Sequence, residues 1–183
     1  MNMERSEILH QLINEAWEQI CTYYQTDGKA PIKQWDGCPS TTIWTEHDFV
    51  FQFARILAEK NIEGQSLGNW LHFECPAGRY RLDMAIADPK IYKDALQSGN
   101  SFPKNALLIG ANFSIVLTNK TLKGEYAFNK VEKDAAKLTE LVKTNKIEKG
   151  IVFVVDKIGI NEKKIDDLKS QYKAKNVFIY WAY

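Results

Sequence analysis

Asp83 is the residue whose setting most invites a chemical explanation. It lies in the stretch Arg79 to Ile86, where Leu82, Met84 and Ile86 alternate with Arg81, Asp83 and Ala85. That alternation is the period of a half-buried strand. A lone carboxylate among strong strand formers has poor strand propensity and is costly to desolvate. It therefore either faces water, paired with Arg79, Arg81 or His72, or it has a task. Trp70 to Cys75 reads as the other arm of a hairpin, with Pro76, Ala77 and Gly78 as the turn. In a tight hairpin Leu71, Phe73 and Cys75 share a face with Leu82, Met84 and Ile86. His72 and Glu74 then join Arg81 and Asp83 on the other, and a slip of one residue would reverse the faces. Asn112 is the second residue of interest. It interrupts the apolar run 106–117, and a buried amide needs hydrogen-bond partners.

Other constellations are weaker. Cys38, His47, His72 and Cys75 lack the paired spacing of a zinc site, and His72 and Cys75 would straddle the two strand faces. The chain has no Ser-His-Asp order, no phosphate-binding Walker loop and no Gly-x-Gly-x-x-Gly. Trp35, Trp44, Trp70 and Trp181 read as core or interface anchors.

The elements that must position these residues follow from apolar periodicity. A helix is predicted from about Met3 to Tyr24, with Ile8, Leu12, Ala16, Ile20 and Tyr24 on one stripe. A loop with Pro31, Gly37 and Pro39 follows. A second helix opens near Thr45, where Thr45 to Asp48 resembles a capping box, and ends between Asn61 and Gly64. After the hairpin, Asp88-Pro89 closes the strand, and 90–104 reads as an excursion with its tip at Ser98 to Ser101. The run 106–117 reads as a buried central strand. Thr118 to Gly124 is a polar turn. Asn129 to Lys143 is a helix with Val131, Ala135, Leu138, Leu141 and Val142 inward and Lys130, Lys133 and Lys137 outward. Strand Ile151 to Val155, helix Asn161 to Lys173 and strand Asn176 to Tyr183 complete the chain. Late strands that are apolar on both faces and alternate with helices predict an α/β protein, a mixed central sheet flanked by helices.

Composition bounds the rest. At 183 residues, with 45% hydrophobic and 26% charged residues, the chain fits one domain over 1–183 with a sizeable core. A net charge of +1 gives no whole-protein signal for nucleic acid or membrane. Three cysteines, a charged N-terminus and no long apolar stretch predict a cytoplasmic protein with reduced thiols and no membrane partner.

The order of elements over roughly 45–155 resembles the PD-(D/E)XK nuclease superfamily, the restriction-endonuclease-like fold. In that family a helix bearing Glu precedes a hairpin strand bearing Asp. A buried strand then carries an apolar lead-in and Glu-x-Lys, and a helix holding Lys and Asp follows. Here Glu46 opens the helix, Asp83 sits on the hairpin, Leu107-Leu108-Ile109 is the lead-in, and Asn129 to Asp134 opens the later helix. The resemblance implies Mg²⁺ held by carboxylates and phosphate, with a Lys orienting the nucleophile. It nominates Asp83, Glu46 and Lys130 as catalytic and Asp83, Glu46 and Glu74 as metal ligands.

The Glu-x-Lys slot, however, falls on Gly110-Ala111-Asn112. Gly110 supplies no ligand, and Asn112 carries no charge and cannot act as a base. Two unit charges 4 Å apart interact by roughly 4 kcal/mol at an effective dielectric of about 20, so one missing carboxylate lowers metal affinity by orders of magnitude. The leading expectation is an eroded site with no cofactor, acting as a nucleic-acid-associated module on DNA or RNA or as a protein-interaction module. The alternatives are a Mg²⁺-dependent nuclease on Asp83 and Glu46 with a third ligand relocated to Glu74, Glu125 or Glu132 and with Lys130 reaching in as the lysine, and an unrelated α/β subunit or immunity-type partner.

Overall fold

The computed structural model describes residues 5–26, 46–97, 107–116, 123–156 and 162–182. Helix α1 (Arg5–Thr26) is followed by α2 (Glu46–Ala58), a two-strand ribbon β1 (Asn61–Ile62) and β2 (Gln65–Ser66), and a 3-10 turn at Leu67–Trp70. The hairpin is β3 (Leu71–Ala77) and β4 (Tyr80–Ala87). Then come α3 (Pro89–Gln97), β5 (Leu107–Val116), α4 (Lys123–Lys143), β6 (Ile147–Asp156), α5 (Glu162–Lys173) and β7 (Val177–Ala182).

The main sheet has the order β3-β4-β5-β6-β7. Its first three strands pair antiparallel and its last three pair parallel, the mixed arrangement that the sequence predicts. Helices cover both faces. On one, Leu9, Ile13, Trp17 and Ile20 of α1 and Phe49, Phe53 and Leu57 of α2 pack on Met84, Ile86, Ile109, Ala111, Phe113, Ile151 and Phe153. Aromatic rings fill this layer, with Phe153 4.6 Å from Phe53, 4.9 Å from Phe113 and 5.3 Å from Trp17. On the other face Val131, Ala135, Leu138 and Leu141 of α4 and Ile165, Leu168 and Tyr172 of α5 pack on Leu82, Val152, Val154, Val177 and Ile179. Gly150 lets α4 approach closely, because a Cβ there would lie 2.7 Å from the Leu138 Cβ. Trp70 and Trp181 are buried, as anchors should be. Among the described residues no helix is long and apolar enough to cross a membrane.

Several expectations need correction. The 90–104 stretch begins as a helix, α3. Asp88 caps it by accepting from the Lys90 and Ile91 amides at 2.9 and 3.4 Å, and Pro89 takes the first helical position, where no N–H is needed. Helix α4 starts at Lys123, not Asn129, so Gly124 is helical. Helix α2 ends at Ala58, before the expected 61–64, and the β1–β2 ribbon begins at Asn61. The hairpin register pairs Phe73 with Met84 and Cys75 with Leu82, yet these residues do not share one buried face. Glu74 adopts φ 52° and its rung with Asp83 is missing, so the hairpin turns over there. Leu71, Met84 and Ile86 belong to the α1/α2 layer, Cys75 and Leu82 to the α4/α5 layer, and Phe73 is 49% exposed. The expected turn at 118–122, the loop tip at 98–101, Cys38, Trp35, Trp44 and Thr45 lie outside the described residues.

Candidate functional site

Asp83 sits at a gap in the β3–β4 ladder and just past the end of the β4–β5 ladder. Toward β3 the Glu74 rung is missing. Toward β5 the last paired residues are Met84 and Ala111. Two residues further along β5, the Phe113 amide donates to Asp83 Oδ2 at 2.8 Å instead of to a strand carbonyl. The carboxylate thus replaces a backbone acceptor at the point where β4 and β5 separate, which satisfies an amide that would otherwise be left without a partner.

Behind Asp83, toward α4, lies a small polar cluster. Asn112 is 2% exposed and donates through Nδ2 to Asp134 Oδ1 at 3.0 Å. Buried Ser114 donates to Asp134 Oδ2 at 3.5 Å. Lys137 Nζ donates to Asn112 Oδ1 at 3.4 Å and to the Arg81 carbonyl. Burial pushes the Asp134 carboxyl above the ordinary carboxylate range and nearby Asp83 adds to the rise. The Asn112 amide, Lys130 and Lys137 pull the other way. Asp134 and Lys137 sit three apart on α4 and so share a face. Lys137, expected to point outward, instead turns in over the sheet, because the strand beneath it offers polar Asn112 rather than an apolar side chain.

In front of Asp83, toward α2, a cleft of about 210 Å³ is lined by His47, Val50, Phe51, Phe73, Glu74 and Asp83. Phe51 is 67% exposed. Glu74 forms an ion pair with Arg81 at this rim.

The nominated residues separate as follows. Asp83 and Glu74 line one cleft. Lys130 is exposed on α4 and acts on Asp134 through its charge. Glu46 is the first residue of α2, but its side chain and that of Glu125 lie outside the described residues. Gly110 faces the α4 layer with no room to spare, since a Cβ would lie 2.9 Å from Leu82 Cδ1 and 3.1 Å from Ile147 Cδ1. His72 stacks on Tyr92 at 3.7 Å and Cys75 is buried in the layer that Tyr92 packs against, but among the described residues no three His, Cys, Asp or Glu side chains converge, so the zinc set is not assembled from them.

Comparison with known protein families, curated proteins and solved structures finds no match. The functional reading therefore rests on the site alone.

The donor set does not fit the Mg²⁺ that the resemblance implies. One Asp83 oxygen is engaged by the Phe113 amide, Glu74 is held by Arg81, and Asp134 is held by Asn112 and Ser114. Among the described residues no three His, Cys, Asp or Glu side chains converge as a metal site. A hard divalent ion prefers several oxygen ligands in near-octahedral array. Asp134, Lys137 and Ser114 are the members that sequence reasoning did not assign to a site. Their only signal was a polar helix stripe opposite Asn112 and Ser114 in an otherwise apolar strand.

Proposed function

We propose that this chain is a binding domain of restriction-endonuclease-like architecture that does not cleave nucleic acid. The observation that carries the reading is the closed network of Asn112, Asp134 and Lys137. The carboxylate and the ammonium group nearest the Glu-x-Lys slot both bond to the neutral Asn112. Recruiting Asp134 to a cation would strip it of the Asn112 bond, and hydrogen bonds to a charged group are worth about 1.5–3 kcal/mol each.

The partner we infer is a protein. The cleft beside Asp83 is smaller than the ~300–1,000 Å³ of small-molecule sites, so it suits one inserted side chain. Exposed Phe51 and Phe73 give it an apolar rim of the kind that interface anchors seek. The carboxylate of Asp83 lines it and Arg81 there is paired with Glu74, so the cleft offers no free cation of its own lining to a phosphate backbone.

Isothermal calorimetry with Mg²⁺ and Mn²⁺, on wild type and Asp83→Ala, tests this together with cleavage and binding assays on DNA and RNA. The expected result is no metal heat, no cleavage and no salt-dependent nucleic-acid affinity. Metal heat and cleavage that vanish in Asp83→Ala would establish instead a nuclease with a relocated ligand. Salt-dependent binding without cleavage would move the partner from protein to nucleic acid.

A further inference from the structure

The cleft beside Asp83 is built by an irregular backbone. In a regular strand successive side chains point to opposite faces, yet Phe73 and Glu74 both line this cleft. Glu74 makes that possible by adopting φ 52°, a conformation uncommon outside glycine. Outliers of this kind gather at ligand clamps, where the surrounding structure holds them in place. The two side chains thereby join Phe51 of α2 and Asp83 of β4 around one opening. Phe51 and Phe73 are the most exposed large hydrophobic residues among those described.

The opening holds carboxylate oxygens that lack donors. The Phe113 amide occupies Asp83 Oδ2, and Oδ1 has no hydrogen-bond or ion-pair partner among the described residues. Oδ1 is not buried away from water, and the cleft is the opening that Asp83 lines. Glu74 gives Oε2 to Arg81 and keeps Oε1. No lysine or arginine among the described residues lines the cleft. Lys137 is turned away on the α4 side, bonded to Asn112 and to the Arg81 carbonyl.

We propose that the cleft receives one arginine side chain of a partner protein. This rests on the protein-binding reading above and specifies the group inserted. Charge complementarity sets its sign. Arg81 answers Glu74, and the Asp83 carboxylate is left for the guest. A neutral apolar guest would cover Asp83 Oδ1 without giving it a donor, which is costly. A guanidinium has five N–H donors in one plane, enough to reach oxygens on two residues at once, and its faces stack on aromatic rings such as Phe51 and Phe73. It is also more weakly hydrated than the ammonium of lysine, so it enters an apolar-walled opening at less cost.

The test is an amide NMR titration of the full chain with the Nα-acetyl amides of arginine, citrulline, lysine and leucine at matched ionic strength. Citrulline keeps the shape of arginine without its charge. The arginine probe is expected to bind with a millimolar dissociation constant and to shift the Phe51, Phe73, Glu74 and Asp83 signals. The other three should bind about tenfold more weakly, the order of loss when a charge pair in a partly buried site is removed. Asp83→Asn, which keeps an acceptor for the Phe113 amide, should weaken arginine binding by about the same factor. Phe51→Ala, a change at an exposed position that leaves the core intact, should weaken it too. Equal binding of citrulline or lysine, a preference for leucine, or unchanged affinity in Asp83→Asn overturns the arginine assignment and leaves a protein-binding cleft of another specificity. Absence of any shift at the cleft with all four probes overturns it as well. Failure of the protein-binding reading is a separate result, the salt-dependent nucleic-acid affinity or metal-dependent cleavage described above.

Discussion

The carboxylate of Asp83 accepts from the amide of Phe113 at 2.8 Å, just past the last rung between β4 and β5. A side chain thus does the work of a strand carbonyl at the point where the sheet opens. Removing the acceptor strands a buried donor, which costs about 1–3 kcal/mol. Asp83→Ala should therefore lower urea-unfolding stability by that amount, and Asp83→Asn, which keeps an acceptor, by less. Equal stability of Asp83→Ala and wild type in metal-free buffer would show that the bond carries no structural weight.

Asp134 makes a prediction whose sign follows from burial. Its carboxyl titrates above the ordinary value of 3.8 in the folded protein. The folded state therefore keeps that proton to higher pH than the unfolded chain. This group's contribution becomes less favourable as pH rises from 3.8 through the raised folded value. Asp134→Asn lacks that titration, and its amide oxygen still accepts from Asn112. The stability of the variant relative to wild type should climb across that window, measured as urea midpoints at matched ionic strength. A flat difference would count against a buried, proton-retaining Asp134.

Gly150 gives a packing prediction. A methyl group there would press on the Leu138 Cβ at 2.7 Å, an atom fixed to the α4 backbone that cannot swing aside. Gly150→Ala should cost about 1–3 kcal/mol through overpacking, read as a lower thermal midpoint. Because α4 also carries Asp134 and Lys137, the Asn112 side-chain NMR signals should shift in the same variant. Unchanged midpoint and unchanged signals would show that α4 is free to rise from the sheet.

Much of this architecture is legible in the amino-acid order, for physical reasons. Strands such as β6 and helices such as α1 announce themselves through unbroken apolar periodicity, and tertiary packing does not overrule it. The hairpin is likewise readable, but its turn is not: Pro76 and Ala77, expected in the turn, are strand residues opposite Arg81 and Tyr80, and the reversal falls at Gly78 and Arg79, which sets Cys75 opposite Leu82. Which side each residue faces is not readable either. That depends on Glu74 adopting a left-handed conformation that nothing in its identity requires. Lys137 is misleading for a related reason. A helix face of lysines looks solvent-bound by composition alone, and only the polar floor of Asn112 and Ser114 draws one of them inward. The start of α3 was available in Asp88-Pro89, a pair that ends a strand and caps a helix equally well.

The turnover at Glu74 has a consequence for how the molecule comes apart. Leu71 at the base of the hairpin is embedded on one side of the sheet and Cys75 near its tip on the other. The ribbon clasps the edge of the sheet like a clip, with one arm in each layer. Loosening the α1/α2 side must pull on the α4/α5 side, so the two halves melt as a single cooperative unit instead of peeling away in turn.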